Sequence, residues 1–272
     1  MTLRAVFFDI GGVVVKSPLV AIFDYEKDLG LPPSYLNVQI SRQGAQGAWA
    51  RFERGELDPF TFYDLFGKEL SDTVKGNQWY REHCEQRNIP CPPLPSAYSY
   101  VQIDGRELFG LMMRGGTYDM KVVEAIRTIK ATGRWKVIAL TNNYHRPFAD
   151  LQAKDPELAK QEMEHLGWNY SGGPASDTLK GMFHDFVDSS EVGSRKPEPH
   201  FYLHACEKHG LKPSEVVFLD DLGVNLKTGK QLGMETIHVP IGKSEVALEK
   251  LQERLGVQLL EGAWTPKPSS KL

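Results

Sequence analysis

The stretch AVFFDIGG, residues 5–12, decides the fold, because an apolar run ends there on an acid and a pair of glycines follows. Valine and phenylalanine favour strands, so residues 3–8 are predicted to form a short buried strand. A second apolar run, at 216–219, ends on two acids, Asp220 and Asp221. Two buried strands that each deliver a carboxylate at the carboxyl end indicate a metal-assisted active site.

Apolar runs and helical periodicity alternate along much of the remaining chain. The strands are predicted at 3–8, 135–140, 215–219 and 234–239, and the helices at 120–131, 199–210, 225–233 and 244–255. Strands that alternate with helices of about 10–15 residues are typical of βαβ units. The sequence therefore predicts an α/β fold, Rossmann-like, with a mainly parallel sheet and helices on both faces.

Residues 16–116 depart from this alternation and contain aromatic-rich helical segments instead. The helices there are predicted at 19–29, 43–54, 59–70 and 76–86, and a proline-rich loop follows at 90–95. We therefore predict a helical cap that is inserted after the first strand and covers the crevice at the strand ends. The predicted domains are an α/β core at 1–15 and 117–262, the cap at 16–116 and an extended tail at 263–272. A polar insertion at about 147–178 carries no functional prediction.

The composition is that of an ordinary globular protein, with a net charge of −3 and a pI near 6.3. This charge gives no reason to expect nucleic acid as a partner. No apolar stretch approaches the roughly 18 residues that a membrane span requires, so no span is expected. The three cysteines, an odd number, predict neither a disulfide framework nor a zinc site, and they favour an intracellular protein.

The final tripeptide, Ser270-Lys271-Leu272, matches the receptor-read address of peroxisomal proteins. Pro266 and Pro268 predict an extended, accessible tail before it. The expected location is therefore the peroxisome, with the import receptor as a partner, and otherwise the cytoplasm. The sequence leaves the oligomeric state open.

Polar side chains that suit phosphate chemistry stand at or near the predicted strand ends. Asp9, Thr141 and Asp220 each follow or end an apolar run, and the carboxyl ends of parallel strands meet in one crevice. Lys196 lies just before prolines that favour the start of a helix. A carboxylate that attacks a phosphoryl group needs its charge repulsion cancelled, and a divalent metal together with a lysine can do this.

Together these segments resemble the four motifs of the haloacid dehalogenase-like (HAD) hydrolase superfamily, in order and at suitable spacing, from residue 6 to about 260. Within that superfamily they look most like the N-terminal phosphatase domain of mammalian soluble epoxide hydrolases. The segments that carry this resemblance are LTN at 140–142, VGSRKPEP at 192–199, VFLDDLGVNLK at 217–227 and LGVQLL at 255–260. The resemblance implies a Mg²⁺-dependent phosphoric monoester hydrolase that acts on small phosphorylated metabolites.

The resemblance also implies a role for each site residue. Asp9 would be the nucleophile that forms an aspartyl-phosphate, and Lys196 would be the catalytic group that neutralises charge. The implied phosphate-binding residues are Thr141, Asn142 and Lys196. The implied Mg²⁺ ligands are Asp9, the backbone carbonyl of Gly11, Asp220 and Asp221, with Asp221 acting directly or through a metal-bound water.

One position departs from the family pattern. Phosphatases of the family carry a second aspartate two residues after the nucleophile, where this sequence has Gly11. That aspartate protonates the leaving alcohol and then activates water, and a positioned acid–base group of this kind is worth about 10²–10⁴-fold in rate. The sequence therefore favours a phosphatase of reduced activity, and an inactive HAD domain that binds a phosphorylated ligand or a partner is the first alternative.

A carbon–halogen or carbon–phosphorus hydrolase is the second alternative, because halide leaves without a proton. The acid pair at 220–221 argues against a dehalogenase, since that branch typically works without metal. Phosphonate cleavage would need a lysine that forms a Schiff base, and Lys27, Lys68 and Lys75 are candidates by their location in the predicted cap.

Overall fold

The computed structural model describes residues 2–96, 101–168 and 175–262. These residues form two compact units. The α/β unit holds residues 2–17, 117–142 and 175–262, and the helical unit holds residues 18–96, 101–116 and 143–168. No helix within these described ranges is long and apolar enough to cross a membrane.

The α/β unit is built on a sheet of five parallel strands. In chain order they are β1 (Ala5–Phe8), β2 (Lys136–Thr141), β3 (Asp185–Asp188), β4 (Val216–Asp220) and β5 (Glu235–His238). Their order across the sheet is β3-β2-β1-β4-β5, so β1 lies between β2 and β4. Every residue of β1 and β4 is buried, which explains their near-continuous apolar sequence.

The helices are numbered along the chain through both units. They are α1 (Leu19–Asp28), α2 (Tyr35–Gln43), α3 (Ala48–Glu53), α4 (Pro59–Leu70), α5 (Thr73–Arg87), α6 (Gly105–Arg114), α7 (Met120–Ala131), α8 (His145–Lys154), α9 (Pro156–His165), α10 (Asp177–Gly181), α11 (Ser189–Val192), α12 (Pro199–Lys208), α13 (Gly223–Gln231) and α14 (Ser244–Leu255). Short 3₁₀ turns lie at Gly44–Gln46 and Pro213–Glu215.

Helices cover both faces of the sheet. Val6 and Phe8 of β1 point to one face, where they share an apolar cluster with α7 and α14. Ala5 and Phe7 point to the opposite face, where they share a second cluster with α12 and α13. This alternation follows from the two-residue period of a strand. The predicted fold class, a Rossmann-like parallel sheet with helices on both faces, is confirmed.

The helical unit is organised around aromatic side chains. Phe52, Phe62 and Phe109 are fully buried, and the rings of Phe52 and Phe62 stack with centroids 4.0 Å apart. Helix α4 begins at Asp58, whose carboxylate accepts hydrogen bonds from the amides of residues 60 and 61, and Pro59 occupies the first turn. The aromatic residues of the 16–116 segment therefore pack as a core in this unit.

Several predicted elements differ from those in the structure. Helices α4, α7 and α14 have the predicted bounds, whereas α2, α6, α8, α9, α10, α11 and β3 were not predicted. Strand β3 was not predicted because only two apolar residues, Phe186 and Val187, stand between its two aspartates. It forms because β2 offers a paired edge, with Leu140 opposite Val187.

The segment at 143–168 groups with the helical unit, whereas the sequence assigned it to the α/β core. The physical reason is packing: Phe148 and Trp168 are buried in the aromatic cluster, with their rings 5.0 Å apart. An ion pair between Arg106 and Glu162, 2.7 Å long, also joins α6 to α9. The predicted tail at 263–272, with Ser270-Lys271-Leu272, lies outside the described residues.

Candidate active site

The carboxyl ends of three neighbouring strands carry the predicted site residues of the α/β unit. Thr141 ends β2, Asp9 follows β1 directly, and Asp220 ends β4. The Asp9 amide donates to the Leu219 carbonyl at 2.9 Å, so β1 and β4 remain paired as far as the acid. Because these strands are adjacent and parallel, their last residues lie beside each other.

Lys196 joins two of the carboxylates. Its ammonium nitrogen lies 2.7 Å from Asp9 Oδ2 and 2.8 Å from Asp220 Oδ2. The lysine side chain is completely buried, and its ammonium also lies 5.4 Å from the centre of the Phe218 ring. Removal of one partner from such a buried ion pair is strongly destabilising, so Lys196 and the two carboxylates depend on one another.

Asp220 is held by residues outside the predicted site. The Asn225 side-chain amide donates to both oxygens of Asp220, at 3.0 and 3.1 Å, and the Leu222 amide donates at 2.8 Å. Tyr202 in turn donates from its hydroxyl to the Asn225 carbonyl at 2.9 Å. The signal was present in the sequence, since Asn225 stands five residues after Asp220 in the first turn of α13.

Asp221 approaches the turn that follows β1. Its carboxylate lies so close to Gly12 that a Cβ there would overlap it, and Gly12 also has a positive φ of 80°. The positive φ favours glycine at this position, and any larger residue would displace the Asp221 carboxylate. The Ser17 side chain hydrogen-bonds to Asp221. Asp9, Asp220 and Asp221 thereby offer carboxylate oxygens that all lie within 4.8 Å of one another.

The charges of the site do not balance. Three carboxylates lie around the ammonium of Lys196, so full ionisation would leave two negative charges in a buried place. Burial raises the pKa of Asp9 well above its usual value, and Asp220 and Asp221 add to this although Lys196 opposes it. Burial and the charge of Asp220 raise the pKa of Asp221 to about 7. Burial alone would lower the pKa of Lys196, but Asp220 and Asp9 outweigh it and raise that pKa.

This donor set fits a magnesium ion. Mg²⁺ prefers oxygen ligands, and it is bound in proteins through a few carboxylates while it keeps several waters. Three clustered carboxylates with excess negative charge meet that preference. Asp9, Asp220 and Asp221 are the residues that would hold the ion. The contribution of the Gly11 carbonyl stays a prediction.

Asn142 makes contacts that its predicted role in phosphate binding does not require. Its side-chain oxygen accepts from the Lys196 amide at 2.8 Å, and its side-chain nitrogen donates to the Lys196 carbonyl at 3.0 Å. These two hydrogen bonds fix the backbone from which the buried ammonium extends. Thr141 is 2% exposed and its hydroxyl donates to the Asn142 carbonyl at 3.1 Å. Phosphate binding by Thr141 and Asn142 stays a prediction.

Gly11 lies in the turn between Asp9 and Gly12. The Ile10 carbonyl accepts from the amides of residues 14 and 15 at 2.9 Å, and the Gly12 amide donates to the Val15 carbonyl at 2.7 Å. Gly11 is not among the glycines with positive φ. Its backbone therefore suits residues other than glycine, unlike that of Gly12.

Lys196→Met is expected to lower the free energy of unfolding by about 3–5 kcal/mol in metal-free protein, because it leaves buried carboxylates without their cation. Chemical denaturation with EDTA would measure this loss. Lys250→Met, at an exposed position of α14, is the matched control and should change stability little. Added Mg²⁺ should restore part of the loss in Lys196→Met, and a loss no larger than that of the control would contradict the prediction.

Comparison with known proteins defines the class. The family model for haloacid dehalogenase-like hydrolases matches residues 3–233, and the chain belongs to that family. A HAD family enzyme from Bacteroides thetaiotaomicron has the same fold, with a TM-score of 0.54 at 16% identity over 92% of this chain and 99% of that one. That enzyme has also been solved with magnesium and inorganic phosphate, at a TM-score of 0.50 and 16% identity over 88% of this chain and 96% of that one.

Among proteins of known sequence, the chain is 29% identical to acyl-CoA dehydrogenase family member 10 of Mus musculus, over 98% of this chain and 20% of that protein. It is 29% identical to bifunctional epoxide hydrolase 2 of Sus scrofa, over 99% of this chain and 42% of that protein. The chain thus spans about a fifth and about two-fifths of these relatives. It is 23% identical to D-ribitol-5-phosphate phosphatase of Bacteroides thetaiotaomicron, over 86% of this chain and 90% of that protein.

Proposed function

We propose that this HAD-like hydrolase is a Mg²⁺-dependent phosphatase of small phosphorylated metabolites, with Asp9 as the nucleophile and with turnover limited by Gly11. One observation carries the proposal: Lys196 bridges Asp9 and Asp220 at 2.7 and 2.8 Å, and Asp221 completes a three-carboxylate cluster. The D-ribitol-5-phosphate phosphatase among the relatives and the magnesium and phosphate bound to the related enzyme support the same chemistry.

Each residue of the site has a separate role in the proposed phosphoryl transfer. Asp9 attacks phosphorus through a carboxylate oxygen, and the buried ammonium of Lys196 offsets the charge that gathers there. The Thr141 hydroxyl, at the adjacent strand end, turns from the Asn142 carbonyl to donate to a phosphoryl oxygen. A bound Mg²⁺ would supply charge neutralisation and orient the phosphoryl group. Asn142 and Asn225 keep Lys196 and Asp220 in place.

Gly11 has no side chain, so no group at this position protonates the leaving alcohol or takes a proton from the attacking water. The leaving alcohol departs unprotonated, so esters of acidic alcohols are favoured over alkyl esters. No carboxylate at position 11 activates the water that cleaves the aspartyl-phosphate, so this second step is slow. A covalent intermediate that forms faster than it decays accumulates, and its formation is seen as a burst of released alcohol.

With Mg²⁺, 4-nitrophenyl phosphate is expected to release a burst of about one 4-nitrophenol per chain, followed by slow turnover. Simple alkyl phosphates are expected to react roughly 10²-fold or more slowly, because they lack the proton that a general acid would supply. Rapid-mixing absorbance measures the burst, and intact mass spectrometry detects the added phosphoryl group. EDTA should abolish both signals. Activity that is equal with and without Mg²⁺ would contradict the proposal.

Gly11 also favours a second candidate, a HAD domain that binds a phosphorylated ligand or a partner without turning over. This candidate predicts Mg²⁺ binding by calorimetry with neither burst nor turnover for any ester. The burst experiment therefore separates the two functions.

A further inference from the structure

Helix α5 of the helical unit is followed by a chain reversal that brings two cysteines together. Asn88 ends the helix in the left-handed conformation, with a φ of 53°. The Asn88 amide donates to the Glu85 carbonyl, and the Ile89 amide donates to the Cys84 carbonyl, both at 3.0 Å. This pattern of hydrogen bonds is a Schellman motif, which turns the chain back over the last turn of its own helix. Cys84 lies in that last turn, and Cys91 follows the reversal.

The segment after the reversal, PCPPLP at residues 90–95, is here called the proline strap. Its prolines favour an extended backbone with a rise of about 3.1 Å per residue, so Cys91 and Pro95 are about 12 Å apart along it. Cys84 and Asn77 are about 10 Å apart along α5, at about 1.5 Å per residue. The Asn77 side-chain amide donates to the Pro95 carbonyl at 2.8 Å, which fastens the far end of the strap. The two lengths are similar, so the strap runs back along α5 from Cys84 to Asn77.

The two thiols lie at the near end of the strap. Cys84 and Cys91 are neighbours in the lining of one cavity, and the Cys91 thiol donates to the Pro92 carbonyl at 3.6 Å. Cys84 is 1% exposed, whereas Cys91 is exposed to solvent. Burial and the neighbouring Cys91 thiol raise the pKa of Cys84. Both thiols line an open cavity of about 950 Å³ between α5 and the strap, which gives a small molecule access to Cys91.

We propose that Cys84 and Cys91 are a redox-active dithiol, which low-molecular-weight disulfides such as glutathione disulfide convert into a disulfide that locks the proline strap onto α5. The exposed thiol reacts first, and the buried thiol resolves the adduct. The odd number of cysteines is consistent with this, because Cys206 belongs to the α/β unit, whereas Cys84 and Cys91 both belong to the helical unit.

The reaction balances in two exchange steps. The Cys91 thiolate attacks one sulfur of the small disulfide, whose S–S bond breaks, and one small thiol leaves. The Cys84 thiolate then attacks the Cys91 sulfur of the mixed disulfide, and the second small thiol leaves. Two cysteine thiols are oxidised, one small disulfide is reduced, and the two cysteine protons end on the two released thiols. The inference is independent of the chemistry at Asp9.

The test equilibrates the full chain in glutathione buffers of increasing oxidised fraction, then tags free thiols with N-ethylmaleimide under denaturing conditions. The reduced protein should carry three tags, and the oxidised protein one tag and no glutathione. Trypsin cleaves after Arg87, between the two cysteines, so the disulfide should appear as two linked peptides. Wild type that ends with glutathione on Cys91 and a tagged Cys84, or with an intermolecular disulfide, would overturn the proposal.

Three variants test which cysteine thiols take part in the reaction. Cys206→Ser should carry two N-ethylmaleimide tags when it is reduced and none when it is oxidised. Cys91→Ser, a change at an exposed position that leaves folding intact, should keep both remaining tags because the entry thiol is missing. Cys84→Ser should stop at a stable glutathione adduct on Cys91. Oxidation of Cys91→Ser at the same buffer ratio as wild type would also overturn the proposal.

Discussion

Asp9→Asn is expected to lower the burst and turnover of 4-nitrophenyl phosphate by on the order of 10⁴-fold or more, a size typical of hydrolases that lose their nucleophile. The amide cannot form the acyl phosphate, and Lys196 would retain its contact with Asp220. Stability should not fall in parallel. Burial raises the pKa of Asp9, so a neutral side chain of the same size relieves repulsion among the carboxylates. Rapid-mixing assays and thermal unfolding measure the two effects separately.

The matched control for Asp9→Asn is Glu249→Gln, which removes one carboxylate charge at an exposed position of α14. It should leave burst, turnover and melting temperature near those of wild type. Unchanged phosphatase activity in Asp9→Asn would show that Asp9 is not the nucleophile. Activity lost together with folding would be uninformative, so the melting temperature is measured on the same samples.

Gly11→Asp is expected to raise turnover by about 10²–10⁴-fold, because it supplies the acid and base that the site lacks. The backbone permits the change, since the positive φ of this turn falls at Gly12 and not at Gly11. The gain should be largest for alkyl phosphates, whose leaving groups need a proton. The burst should shrink, because water would cleave the aspartyl-phosphate as fast as it forms. Steady-state rates for aryl and alkyl esters, measured side by side, check both effects.

Gly11→Asn is the matched control, because it adds a side chain of the same size that transfers no proton. It should retain the burst and the slow turnover of wild type. Equal gains in Gly11→Asp and Gly11→Asn would contradict a role in proton transfer. Gly11→Asp without any gain, while Mg²⁺ still binds and the protein stays folded, would favour the binding function.

The local pattern of the sequence was enough to predict the sheet. Apolar runs that end on Asp9, Thr141 and Asp220 predicted strands whose carboxyl ends meet, and the structure places these residues at the carboxyl ends of three adjacent parallel strands. Helices α7 and α14 were predicted to the residue because their apolar residues recur on one face. Strand β3 was missed because its formation depends on the neighbouring edge of β2 more than on its own composition.

Within the site, the sequence identified which residue types occur but not what each one contacts. Asn142 binds both the amide and the carbonyl of Lys196, 54 positions away. The spacing of these residues in the sequence does not predict that contact. Asn225 was likewise visible in its motif, yet its bonds to both oxygens of Asp220 depend on how α13 begins.

By itself, then, the sequence determined the α/β fold, the family motifs and the missing carboxylate at Gly11, because periodicity, β propensity and residue identity are local properties. The tertiary structure alone decided that 143–168 packs in the helical unit and that Lys196 bridges Asp9 and Asp220. Those pairings join parts of the chain whose proximity is set by packing, since burial of aromatic rings and neutralisation of buried charge act between residues irrespective of their separation in sequence.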